Sequence, residues 1–212
     1  MSLVSTKQAG LAGFTKYRSL ADASGNPAFN IPGMVLMTDY TITHAGTSAT
    51  LTNGQVTFTA VTSLSLNGVF SADFDNYVVA VSFVPSTALG TGLEIQLASG
   101  GTAATGTDYT YQRLRALSTT VDATRTTSAT SINVGSGGPS TSIPSATHIA
   151  IYGPALAQPT ATRNVSVTSH SDAGIYDFAG THSLSTSYDG FKLFPSFAYS
   201  ITGKLAVYGV RS

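Results

Sequence analysis

The chain has 212 residues, ten basic and ten acidic side chains, no cysteine and a charged fraction of 9%. That fraction is far below the roughly 25% usual in soluble domains, so uncharged polar side chains must supply most of the polar surface. The absence of cysteine excludes disulfides, thiolate catalysis and Cys-based zinc sites. The balanced charge leaves no basic stripe to neutralise phosphates, so we expect no nucleic-acid partner.

Residues 1–33 differ from the rest and are predicted to form a non-globular N-terminal arm and linker. Residues 1–20 carry three basic side chains and no acidic one, and their glycines interrupt any helical apolar stripe. A frayed terminus and an arm that docks on a partner are both compatible with this composition. In the second case the attachment residues are Leu3, Lys7, Leu11, Phe14, Lys16, Tyr17 and Arg18.

From residue 34 onward the chain alternates short strand patterns with clusters of Gly, Pro, Ser and Thr, which predicts one domain over residues 34–212. Strands are expected at 34–42, 55–61, 64–70, 76–84, 92–98, 109–117, 125–134, 147–152, 163–169, 190–194 and 201–210. A Thr/Ser turn is expected after the first of them. The pattern contains no convincing helix and no fixed-period repeat. The predicted fold is therefore all-β, a jelly-roll-like antiparallel β-sandwich.

The segment 65–84 is expected to organise the sheet, as two strands joined by a short polar connection. Alternation in the second strand places four large side chains on one face: Tyr77, Val79, Val81 and Phe83. The opposite face is also mostly apolar. The pattern therefore predicts a strand that is covered on both faces.

The sequence offers little support for catalysis. Glycosidases typically need two carboxylates, whereas this chain has one glutamate, Glu94. Glu94 and Gln96 are expected to face outward from a strand whose other face is apolar, with Leu93, Ile95 and Leu97 inward. We therefore expect no enzymatic activity and no cofactor.

Two groups of side chains are candidate metal sites. Asp73 and Asp75 alternate in a short connection, where a cation shared with Asn76 competes with ordinary hydrogen bonds of a turn. His170 and Asp172 fall in a polar loop, where only chance proximity would make a metal site. The turn and the loop are the favoured interpretations, and no metal is expected.

A candidate binding face lies on the strand predicted at 109–117. Tyr109, Tyr111, Arg113 and Arg115 alternate with other side chains and so share one face. Tyrosine and arginine on one face suit stacking against a sugar or packing at a subunit interface. The alternative is that the two tyrosines cap the edge of the core.

The chain from about residue 54 to the end resembles a β-sandwich module found in structural proteins of tailed bacteriophages. The resemblance rests on VFSADFDNYVVAVSFV at 69–84, LEIQLASGGTAATGTDYTYQ at 93–112, HIAIYGPALAQPTATRNVSV at 148–167 and ITGKLAVYGVRS at 201–212. Such modules occur in short tail fibres, tail spikes and capsid-decorating proteins. The resemblance implies a non-enzymatic, usually homotrimeric protein of the virion.

Several functions follow from this resemblance. The first is a short tail fibre or receptor-binding trimer that docks on other virion proteins through its arm and contacts a host surface glycan. The alternatives are a capsid decoration (cement) protein, a carbohydrate-binding module and a carbohydrate-processing spike. The lack of a carboxylate pair argues against the last. No apolar run is long enough to span a bilayer, so we expect no membrane insertion.

Overall fold

The structure is a computed structural model that describes residues 33–87, 91–138, 141–168 and 174–211. The described part contains β-strands and no helix. The strands are β1 (Gly33–Leu36), β2 (Thr41–Thr52), β3 (Gln55–Asn67), β4 (Asn76–Pro85), β5 (Thr91–Ser99), β6 (Thr102–Ala103), β7 (Tyr109–Leu117), β8 (Thr120–Ala129), β9 (Ile132–Gly137), β10 (Ser145–Tyr152), β11 (Thr160–Val167), β12 (Ile175–His182), β13 (Gly190–Pro195) and β14 (Ile201–Arg211). Apart from its last residue, Gly33, the predicted arm lies outside the described residues.

The strands form one curled antiparallel sheet. Its order is β6-β5-β13-β3-β14-β4-β10-β11-β12-β7-β8, and β1, β2 and β9 pair with β14, β3 and β5 respectively. Strand β9 also packs across β10, β11 and β12. The β5–β9 end of the sheet therefore lies over the β10–β12 part and closes a core between two layers. The prediction of an all-β, sandwich-like antiparallel fold is confirmed.

Strand β3 belongs to both layers. Its residues 55–61 pair with β14, its residues 64–66 pair with β13, and β2 runs alongside both parts. At the change of partner Ala60 has a positive φ of 47°, and the register with β14 shifts between Ile201 and Gly203. A bulge of this kind bends a strand and allows it to pass from one sheet to another. The two strands predicted at 55–61 and 64–70 are thus one bent strand, which ends at Asn67.

Strand β4 occupies the middle of the sheet, between β14 and β10. Tyr77, Val79, Val81 and Phe83 are buried, which confirms the predicted inner face. The prediction for the opposite face is met only in part. In the described part of the chain, its apolar side chains are half-buried and Ser82 is exposed.

Strand β5 departs from its predicted pattern on one face. Leu93, Ile95 and Leu97 are fully buried, as expected, but Gln96 is only 8% exposed. The loop between β8 and β9 lies over this outer face. Gln96 Nε2 donates a hydrogen bond to the carbonyl of Thr130 (3.0 Å), and the Ser131 hydroxyl donates to Glu94 Oε2 (2.5 Å). The strand predicted at 125–134 is divided by this same loop into β8 and β9.

The inner face of β11 is polar, although it is buried. Thr160, Thr162, Asn164 and Ser166 are all within 3% of complete burial. These polar side chains face β9, which pairs with β5 along one edge and has a bulge at Val134. The bulge leaves backbone groups that need hydrogen-bond partners. The Val134 carbonyl accepts hydrogen bonds from Thr147 Oγ1 and Asn164 Nδ2, both at 2.8 Å. Side chains of β10 and β11 thus satisfy backbone groups that would otherwise be buried without partners.

Candidate functional site

The four predicted side chains of β7 do share one face of the sheet. This face is the inner one, and β7 lies between β12 and β8, the last strand of the sheet. Each side chain has a partner in register on β12: Tyr109 with His182, Tyr111 with Gly180, Arg113 with Phe178 and Arg115 with Tyr176. Burial decreases along the strand, so the first residue differs in role from the other three.

Tyr109 is part of the core. Its ring is fully buried, and its hydroxyl accepts a hydrogen bond from the Leu97 N–H (3.0 Å) and donates one to the Ala104 carbonyl (3.0 Å). Burial raises the pKa of Tyr109, so the hydroxyl stays neutral. This geometry matches the alternative in which the two tyrosines cap the edge of the core, since Tyr111 also packs against the core, and it leaves no surface of Tyr109 for a ligand.

The other three side chains belong to a group of six that we call the Tyr–Arg shelf: Tyr111, Arg113 and Arg115 of β7, Asp122 and Thr124 of β8, and Tyr176 of β12. Strand β8 is the last strand of the sheet. Both guanidinium groups and the carboxylate are about one-third exposed. The shelf is therefore accessible from the open edge of the sandwich.

The Asp122 carboxylate forms ion pairs with two guanidinium groups on this shelf. Arg115 Nε donates to Asp122 Oδ2 at 2.8 Å and its Nη2 contacts the same oxygen, which raises the pKa of Arg115. Arg113 reaches Asp122 Oδ1 only at 3.5 Å. The Arg113 guanidinium carbon lies 5.9 Å from the centre of the Tyr176 ring, within the range of a cation–π contact. The three charged groups leave a net charge of +1, carried mainly by Arg113.

Asp73, one of the candidate metal ligands, has hydrogen bonds that are local to its turn. The Ser71 hydroxyl donates to Asp73 Oδ2 (3.4 Å) and the Asp73 N–H donates to Ser71 Oγ (3.3 Å), the local pattern of a turn. His170 and Asp172 lie outside the described residues, as do all seven attachment residues of the arm. Within the described ranges, no three His, Cys, Asp or Glu side chains are grouped so as to hold a metal ion.

A buried histidine was not anticipated from the sequence. His182 is fully buried at the end of β12, with its ring centre 4.3 Å from that of Tyr109 and 5.3 Å from that of Tyr188. The Tyr188 hydroxyl lies 3.3 Å from Nδ1 of His182. Burial lowers the pKa of His182, while the charge of Asp108 opposes that shift. The ring is a neutral core group with a single side-chain hydrogen-bond partner among the described residues.

A second surface was also missed, on the outer face of the same strands. Five large apolar side chains there are between 48% and 68% exposed, and we call them the apolar outer face: Leu114, Val121, Val165, Val167 and Ile175. The register makes them neighbours. Val167 lies opposite Ile175, which lies opposite Ala116, which lies opposite Val121. Alternation reveals that a strand has two faces, but not which of them meets solvent.

Charged side chains flank the apolar outer face, among them Arg125, which is exposed on the same face of β8. Asp177 lies between Val165 and Leu114 in register. Arg163 Nε donates to Asp177 Oδ1 at 2.7 Å, so this pair neutralises itself at the margin of the apolar surface. Such a surface fits another neutral apolar surface better than a charged one.

The chain matches no protein-family model, and no curated protein sequence is significantly similar to it. In the described part, no helix is long and apolar enough to cross a membrane. The resemblance to phage modules therefore stays a prediction made from the residues.

Proposed function

We propose that the protein is a structural subunit of a tailed-bacteriophage virion, a short tail fibre or receptor-binding homotrimer that docks through its N-terminal arm. The observation that carries this proposal is the apolar outer face. Exposed side chains of this kind add up to an area on the order of 400 Å², the size of the largest apolar patch on a typical monomer, which is often functional. With only 9% charged residues, the chain suits a protein that is covered in an assembly.

The apolar outer face supports association between copies of the chain. Closed symmetric oligomers are the usual way in which such surfaces are covered, and the phage resemblance supplies the number three. The patch is about half of the roughly 800 Å² per partner found in standard interfaces, so neighbouring side chains of β8 and β10 would complete the contact. A polar shelf on the opposite side of the same strands stays open in this arrangement.

Oligomeric state tests the assembly. Sedimentation equilibrium of the full chain at micromolar concentration should return a trimer, and Ile175→Lys should shift the distribution toward monomer. Leu184→Lys is the matched control, because Leu184 is also exposed but lies in the loop after β12. A monomeric wild-type chain, or equal effects of both substitutions, would contradict the proposed interface.

Particle location tests the virion role and separates the two candidate positions. Antibody labelling in electron micrographs should place the protein on the tail for a fibre and on the head for a decoration protein. Copy number by quantitative mass spectrometry gives the same distinction, since a decoration protein occurs at the abundance of shell subunits. Particles without any label would overturn the proposal.

Deletion of residues 1–20 tests the arm. Burying its apolar side chains on a partner would supply roughly 1.5–3 kcal/mol each before ordering costs, and its basic residues would pair with acidic groups on the partner's rim. The truncated protein should remain a folded trimer and should fail to join particles. Normal incorporation would mean that attachment runs through the sandwich.

A further inference from the structure

We infer that the Tyr–Arg shelf binds a sugar that carries a carboxylate, with Arg113 as the group that recognises the acid. This inference rests on the proposed receptor-binding function and names the class of ligand. The positive charge of Arg113 is incompletely neutralised, because Asp122 contacts Arg115 closely and reaches Arg113 only at 3.5 Å. A partly desolvated guanidinium gains from an additional anionic oxygen.

The surroundings of Arg113 suit a flat, hydroxylated ligand. Tyr176 and Phe178 are stacked beneath the arginines, with ring centres 6.0 Å apart and planes inclined by 13°. Contact with Tyr176 orients the Arg113 guanidinium before any ligand arrives, which lowers the cost of ordering. In register beside Arg113 is Thr124, an exposed hydroxyl on the edge strand. Because Tyr176 and Phe178 are buried, the groups offered to a sugar ring are the Arg113 guanidinium, the Thr124 hydroxyl and the half-buried ring of Tyr111.

The charge of the shelf favours a monoanion. Arg113 and Arg115 against Asp122 give a net charge of +1, which one carboxylate neutralises. A phosphate with nearly two charges would leave a partly uncompensated anion, and a nucleic acid would need a longer basic track than one free arginine provides. A uronic acid residue of a surface polysaccharide has the matching charge and shape.

Titration of the full chain with D-glucuronic acid, followed by saturation-transfer NMR, tests this inference. D-glucose and sodium acetate serve as comparison ligands, one without the carboxylate and one without the sugar ring. Wild-type protein should bind glucuronic acid saturably and at least about tenfold more tightly than either, because hydrogen bonds to charged groups and ring contacts both contribute. Equal binding of glucose, or of acetate, would overturn the inference, as would no binding of glucuronic acid.

Two substitutions assign the binding to Arg113. Arg113→Gln removes the charge and should weaken glucuronic acid binding about tenfold or more, while Arg113→Lys, which keeps the charge without the planar group, should retain part of it. Lys204→Gln is the matched control, since Lys204 is an exposed cation on β14, several strands away from the shelf. Unchanged binding in Arg113→Gln would overturn the assignment. Particle labelling does not depend on this shelf, so a failure here leaves the virion proposal standing.

Discussion

The Tyr77 hydroxyl holds both backbone groups of Ser71. The Ser71 N–H donates to it at 2.7 Å, and it donates in turn to the Ser71 carbonyl at 2.8 Å. The Tyr77 ring is fully buried against Phe70 and Phe74, and burial raises its pKa. The polar connection between β3 and β4 is therefore fastened to the central strand by one side chain.

Tyr77→Phe should destabilise the protein by roughly 1–3 kcal/mol, because it leaves a partly buried N–H and carbonyl without their partner. The ring packing is retained, so the loss isolates the hydroxyl. Chemical denaturation gives the free energy of unfolding. Tyr208→Phe is the control, since Tyr208 on β14 is half-buried and should change stability by less than about 0.5 kcal/mol. Similar losses from both variants would contradict this role for Tyr77.

His182 predicts a loss of stability in mild acid. Its pKa is lowered in the folded protein, with Tyr109 and Tyr188 against the ring and Asp108 acting in the opposite direction. The unfolded chain therefore binds more protons below about pH 6.5, and the free energy of unfolding falls as the pH drops, by at most about 1.4 kcal/mol per pH unit. Urea denaturation between pH 7.5 and 5 measures this slope, with those pH values chosen to bracket the ordinary histidine pKa.

Replacing the histidine should flatten that slope. His182→Gln is expected to lose most of the pH dependence above pH 5, whatever its effect on stability at pH 7.5. His148→Gln is the control, because His148 is exposed on the outer face of β10 and its loss should leave the slope unchanged. An unaltered slope in His182→Gln would assign the acid sensitivity to other groups.

At the bend of β3, we expect Gly46→Ala and Ala60→Gly to have opposite effects on stability. A Cβ on Gly46 would lie 2.2 Å from the Ala60 carbonyl oxygen, and Gly46 has a φ of 111°, so Gly46→Ala should cost at least roughly 2 kcal/mol. Ala60, at a φ of 47°, is strained by its own Cβ. Ala60→Gly should stabilise by up to about 1 kcal/mol, the relief of strain less the entropy of a glycine in the unfolded chain.

Thermal unfolding measures both changes, and Ala123→Gly provides the comparison. Ala123 is an exposed residue of β8 without a positive φ, where glycine brings only its entropic cost. Ala123→Gly should therefore destabilise. If Ala60→Gly lost as much stability as Ala123→Gly, the strain at Ala60 would have to be negligible.

The sequence predicted strands well where large apolar side chains alternate. Strands β4, β7 and β14 lie at or near their predicted bounds, because residues such as Tyr77 and Val79 identify an inner face. Strand β2 was missed, since its Thr, Ser, Gly and Ala residues show no apolar period. Its signal was instead the Asn53–Gly54 pair, both with positive φ, the usual turn of a tight hairpin.

Strand β11 shows a limit of the same reasoning. Its sequence places valines at 165 and 167 and polar residues between them, so hydrophobicity alone would turn the valines inward. The structure has the opposite arrangement, with Asn164 buried and Val165 exposed, because Val134 on β9 requires hydrogen-bond donors. The need for hydrogen-bond donors comes from a strand that is distant in sequence, so the local sequence of β11 does not indicate it.

Only part of the candidate site could be predicted from the sequence. The two-residue period placed Tyr111, Arg113 and Arg115 together. Asp122 and Tyr176, which set the charge and the aromatic floor, come from the neighbouring strands β8 and β12. Strand β12 was not predicted at all, although Tyr176 and Phe178 alternate with smaller residues. Pairing between distant segments, rather than local pattern, completes the shelf.

The passage of β3 from one layer to the other has a consequence for how the chain folds. Neither layer is complete without a half of this strand, and its partners β13 and β14 come from the C-terminal end of the chain. Contacts between such distant segments give a high contact order, which slows folding and postpones the gain in stability until most of the chain has been synthesised. We therefore expect residues 33–211 to fold as a single cooperative unit, with no half of the sandwich stable when expressed by itself.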